Sequence, residues 1–265
     1  MKKILSIVII AAALSTTTSC KKGGLNIFSI EDDKNFGLQM ETEIANSSEY
    51  SLISRSARPE AYLYLESMKQ QILNGGQLEH TDDFVWKLYL VHDDAVQNAF
   101  CTPGGYIYVY TGLIKYLENA SSLAGVIGHE MAHADRRHST QHLTTPYGLS
   151  LLVSVVAGTT NAGQLAEIAA GLSSLAFSRD HEKDADSHSV IYLCPTLYRA
   201  DGAADFFEKI IASGAQQPPA FLSTHPNPDN RVENIHAKDD ELGCNNTPSQ
   251  SVELAEYNAF KASLP

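Results

Sequence analysis

Five residues, His129-Glu130-Met131-Ala132-His133, sit inside an apolar, small-residue run beginning at Leu123 that reads as a buried helix. Imidazoles four residues apart lie one above the other on a helix face, so both can reach a single metal ion. Glu130 is displaced round the helix, beside that face, where it can take a proton from a metal-bound water. Two neutral imidazoles and a carboxylate base form the machinery of metal-assisted peptide hydrolysis, and one zinc ion per chain suits them. Gly125 and Gly128 just before the motif are poor neighbours for a pair of solvated surface histidines.

A catalytic zinc needs a third protein ligand and one open position. The extension that supplies a further His is absent, because Arg136 and Ser139 hold the places where it requires Gly and His. Glu182 and Asp186 share one face of a helix expected over 179–193. Glu182 can ligate while Asp186 orients one of the ligating histidines from behind. Glu167, on the preceding helix, competes with Glu182 but has no carboxylate one turn on.

Around this centre the chain alternates helical and strand signals. Helices are expected at 38–46, 59–73, 112–117, 121–142, 162–177, 179–193, 202–211 and 228–237, with strands at 84–91 and 106–110. The apolar stretch 149–157 is half the length of a membrane span and reads as a buried segment. These signals predict one mostly helical α+β domain over 38–265 with a small antiparallel sheet. His138, His142, His181 and His188 are expected on exposed helical faces.

The N-terminus reads as an address. Lys2 and Lys3 precede an apolar run over 4–14, followed by small polar residues up to Cys20. That layout predicts a signal peptide over 1–19. Thr17-Thr18-Ser19-Cys20 resembles a lipobox, which makes Cys20 a lipidation site and 20–37 a tether anchored to a membrane. Lys21 after Cys20 favours the outer membrane, facing the periplasm. A compartment outside the cytoplasm permits a disulfide, and Cys194 with Cys244 is the favoured pair, leaving Cys101 over. The net charge of −12 argues against a nucleic-acid partner, because phosphate binding needs clustered positive charge.

Several separated motifs resemble the M48 family of zinc metallopeptidases. They are Asn98-Ala99-Phe100 with Pro103-Gly104-Gly105, Thr111-Gly112-Leu113, the His129–His133 pentad, Glu182 with Asp186, and Thr224-His225-Pro226 with Arg231. The resemblance implies a zincin-like domain, zinc ligands at His129, His133 and Glu182, and Glu130 as the base. It also implies that Gly105, Tyr106, Ile107 and Tyr108 form a sheet edge that holds an extended polypeptide by β-augmentation. His225 would either occupy the open position of the metal or, with Arg231, stabilise the oxyanion. The chain lacks both the long membrane helices and the helical repeats of some relatives. The resulting expectation is a cell-envelope endopeptidase acting on unfolded or misassembled proteins. The alternative is a latent zinc-containing chaperone or binding module.

Overall fold

The computed structural model describes residues 25–144, 148–161, 163–164, 167–168, 176–213, 219–226, 230–244 and 250–265. The expected signal segment, Cys20, residues 227–229 and much of the expected helix at 162–177 fall outside them.

The chain opens with α1 (Ile30–Asn46), started by a capping box in which the Ser29 hydroxyl accepts from the Asp32 amide and the Asp32 carboxylate accepts from the Ser29 amide. The packed body therefore begins well before residue 38. Phe28 and Phe36 are buried, the Asn26 amide donates to Thr140, and Arg137 donates to the Phe28 carbonyl. The segment just ahead of α1 is docked rather than acting as a loose tether.

β1 (Leu52–Ile53), α2 (Pro59–Asn74), β2 (Lys87–Val91), β3 (Ala99–Thr102) and β4 (Tyr106–Tyr110) follow. The strand order is β1-β2-β4-β3. β3 and β4 form an antiparallel hairpin closed by Pro103-Gly104-Gly105, with both glycines at positive φ. β4 then lies parallel to β2, Lys87 opposite Tyr106 and Val91 opposite Tyr110. The sheet is mixed, not antiparallel, because β3 itself serves as the crossover between two parallel neighbours.

Both sheet faces are covered. Ile107 and Val109 face a core shared with α2 and the metal-motif helix, while Tyr106 and Tyr108 face α1. Tyr108 stacks between Tyr89 and Phe100, with ring centroids 5.1 and 4.7 Å away. A strand buried on both faces carries apolar or aromatic residues at every position, which is why 106–110 shows no polar alternation.

After α3 (Thr111–Tyr116) comes α4 (Ala120–Asp135), capped by Asn119, whose side chain accepts from the Ser122 amide. All of α4 is buried. The chain breaks at Arg136 and Arg137, the latter at φ 62, so the single helix expected over 121–142 becomes α4 and α5 (His138–Thr144). α6 (Gly148–Val156), α7 (Arg179–Leu193), α8 (Gly202–Ser213), the short α9 (Phe221–Thr224), α10 (Arg231–Leu242) and α11 (Gln250–Ala262) complete the described elements. No helix among the described residues is long and apolar enough to cross a membrane.

Close approach of α4 to its neighbours depends on small residues. A Cβ on Gly125 would fall 2.1 Å from the Ala203 amide nitrogen of α8. Ser189 of α7 donates to the Gly125 carbonyl at 2.8 Å. Cys194, at the end of α7, is disulfide-bonded to Cys244, just past α10, with Cα atoms 5.2 Å apart, and Cys101 is buried and free.

Candidate metal centre

Three elements converge on the middle of the molecule. α4 brings His129, Glu130 and His133, the first turns of α7 bring Glu182 and Asp186, and the end of α9 brings His225. All are buried. Helix periodicity places His129 and His133 together, and the Ser178 cap, accepting from the His181 amide, fixes the start of α7 so that Glu182 faces them.

Four donor atoms gather at one point. His129 Nε2 lies 3.0 Å from His133 Nε2 and 3.3 Å from His225 Nδ1. Glu182 Oε1 lies 3.3 Å from His133 Nε2 and 3.1 Å from His225 Nδ1. A tetrahedral ion with ligands about 2.0 Å away separates them by about 3.3 Å. Three imidazoles and a carboxylate whose donor atoms all lie within 4.8 Å of one another can hold a single divalent metal ion.

The surroundings hold the donors in place. Asp186 Oδ1 lies 2.9 Å from His129 Nδ1, on the far side of that ring from the cluster. Arg231 Nη2, at the start of α10, donates to Asp186 Oδ1 at 2.7 Å and lies 3.0 Å from Glu182 Oε2. Its guanidinium stacks 4.0 Å over the Phe207 ring. Phe177 stacks on His133 with centroids 4.0 Å apart.

Glu130 is completely buried, and neither of its carboxylate oxygens has a hydrogen-bond partner. His225 Nε2 lies 3.3 Å from Oε1 without hydrogen-bond geometry. Burial raises its pKa above the usual carboxylate range, against the pull of His225 and His129. Burial also opposes charge on His129, yet its hydrogen bonds to the Asp186 and Glu182 carboxylates more than reverse that and lift its pKa to about 9. His133 is held well below its ordinary value, by burial and by the neighbouring His129. An orphaned buried carboxylate beside a convergent donor set is what a metal and its water would satisfy.

Not every expected residue is here. Gly105, Tyr106, Ile107 and Tyr108 are not at a sheet edge: β4 is paired on both sides, and the Gly105 carbonyl accepts from the Lys87 amide. Tyr106 and Tyr108 also face α1, away from α4. The edge beside α4 is β3, which sequence patterning did not resolve because it is only four residues long. Glu167 is exposed and outside the cluster. His138, expected on an exposed face, is buried against His133, with His181 stacked 4.4 Å from it.

Comparison with known proteins agrees with this geometry. The model of peptidase family M48 matches residues 59–239. The chain is 28% identical over 177 residues to the mitochondrial metalloendopeptidase OMA1 of Schizosaccharomyces pombe, covering 65% of this chain and 51% of that one. It is 32% identical over 147 residues to the Arabidopsis thaliana protein of the same name, covering 56% and 30%. It is 25% identical over 183 residues to the beta-barrel assembly-enhancing protease of Escherichia coli (strain K12), covering 64% and 37%. The chain therefore spans between about a third and a half of the length of these curated relatives.

Proposed function

Since the chain belongs to peptidase family M48, we propose that it is a zinc metalloendopeptidase of the cell envelope that cleaves unfolded or misassembled polypeptides. The carrying observation is the gathering of His129, His133, Glu182 and His225 with the orphaned Glu130 beside it. When bound there, zinc would supply Lewis acidity and a water with a pKa lowered towards about 7.

His129, His133 and Glu182 hold the metal in this reading. Glu130, buried and with no competing hydrogen bond, accepts a proton from the attacking water and passes it to the departing amine. Asp186 accepts the Nδ1 proton of His129 and so leaves Nε2 free to face the cluster. Arg231 positions Asp186 and Glu182 through its Nη2. Its Nε and Nη1 have no hydrogen-bond partner and keep donors for an oxyanion.

His225 supports a closed form. Its Nδ1 takes the corner that a substrate would need, and its Nε2 faces Glu130. The second reading, a latent zinc-containing chaperone or binding module, draws on the same observation. We assign anchorage through a lipid on Cys20 by the sequence alone, and an extended polypeptide as substrate by the reaction class.

Cleavage of an unfolded protein separates these readings. Wild type should cleave and Glu130→Gln should not, with one zinc retained in both. Zinc without cleavage, even in His225→Ala, would favour the binding module. No bound zinc in any variant would remove the enzymatic reading.

A further inference from the structure

Behind His133 stands a second imidazole. His138 Nδ1 lies 3.0 Å from His133 Nδ1, and His138 Nε2 lies 3.2 Å from Asp184 Oδ2. The same Asp184 oxygen accepts from Arg136 Nε at 3.0 Å, and His138 is 3% exposed. In an unbroken helix, a residue five positions beyond His133 would point elsewhere. The left-handed Arg137 turns the chain so that His138 comes back against the ring.

Only one arrangement of protons satisfies this chain of contacts. His133 Nε2 faces His129 Nε2 and Glu182 Oε1, so it must present its lone pair there to serve a metal. Its proton then sits on Nδ1, directed at His138 Nδ1, which must accept. That places the His138 proton on Nε2, directed at the Asp184 carboxylate, and Arg136 fixes that carboxylate from its other side.

We infer that His138, held by Asp184, is the positioning residue that orients His133 and fixes its tautomer for metal binding. The inference rests on the metal-centre reading above. It gives the two ligating histidines different backing. His129 is backed directly by a carboxylate, Asp186, and His133 by a neutral imidazole with the carboxylate one ring farther out. On its Nδ1 side His133 thus meets a carboxylate only through an imidazole, while Glu182 faces its Nε2.

The test is zinc affinity of the full chain, measured by competition with a chromophoric chelator, together with the unfolding midpoint of the metal-free protein. His138→Phe keeps a ring against His181 but removes the acceptor, and should weaken zinc binding about ten- to a hundredfold, as loss of such outer partners does. His138→Asn, whose Oδ1 can stand where Nδ1 stood, should restore most of that loss. Asp184→Asn, which keeps an acceptor oxygen but no charge, should lose less than the Phe variant. Metal-free midpoints should stay near wild type for the Asn variants. Wild-type zinc affinity in His138→Phe would overturn the inference, and so would equal losses in Phe and Asn, which would mean packing alone. If Phe does not fold, wild-type-like affinity in both His138→Asn and Asp184→Asn supports the hydrogen-bonded relay only if His138→Ala loses zinc, and overturns it otherwise. His133→Ala binding zinc like wild type would instead sink the metal-centre reading itself.

Discussion

His225 Nδ1 lies 3.1 Å from Glu182 Oε1, although 43 residues of chain separate them. A loop histidine reaches a helix carboxylate because its backbone is pinned on several sides. The His225 amide donates to the Phe221 carbonyl, the Phe177 amide to the Thr224 carbonyl, and the Phe221 amide to Gln97. The ring also stacks on Phe221, with centroids 4.1 Å apart.

Removing that ring should open the fourth corner of the centre. His225→Ala is expected to raise cleavage of an unfolded protein tenfold or more while zinc stays bound through the other three donors. Initial rates at matched zinc content check this. A tenfold fall would assign His225 to transition-state stabilisation, and an unchanged rate would deny it either role.

Arg231 is buried between two carboxylates, so its loss should be severe. Arg231→Met removes the cation and leaves Asp186 and Glu182 facing each other in the interior. Breaking a buried ionic contact from one side costs about 3–5 kcal/mol. Urea unfolding of the metal-free protein should show a loss of that size, and a change below about 1 kcal/mol would contradict the assignment.

The metal motif and the α7 start were legible because they depend on local periodicity and capping. The pairing of His129 with His133, and of Glu182 with Asp186, follows from spacing within one helix. That Glu182 rather than Glu167 joins the histidines was implied by the family resemblance, and the fold brings Glu182 to them. What was not legible depends on long-range pairing or on a single backbone angle. The edge at 105–108 was implied by the family resemblance, and nothing local in the sequence says that β4 inserts between β2 and β3. Arg137 at φ 62 carries no glycine or asparagine signal, so the break that buries His138 was hidden. The early start of α1 could have been found from Ser29 and Asp32, although Asp at the third helical position is a weaker cue than Glu.

The Cys194–Cys244 bridge closes a loop of 50 residues. Replacing both cysteines with serine should destabilise the protein by roughly 2–4 kcal/mol, mainly through the unfolded chain. Comparing denaturant midpoints with and without reductant checks this; the double variant should show no dependence on reductant.

His236 links α10 to α8 through Asp201 and Glu208, each at 3.1 Å. Partial burial lowers its pKa, but the two carboxylates outweigh that and raise it above 6.5. The contribution is therefore complete below about pH 6.5, the ordinary value for a histidine, and fades as pH rises through the folded-state value. His236→Gln should flatten stability against pH above about 6.5, with thermal midpoints between pH 6 and 9 as the readout. An unchanged slope would show that these contacts carry no linkage.

α7 and α10 run side by side, with Glu182 and Arg231 at one end and the disulfide at the other. Mechanically the pair is a set of tweezers, riveted at Cys194–Cys244 and gripping the centre with its tips. α10 is about 18 Å long, at about 1.5 Å per residue. At that length a swing of only about 3° at the rivet moves the Arg231 tip by about 1 Å. The disulfide thus backs the grip from about one helix length away.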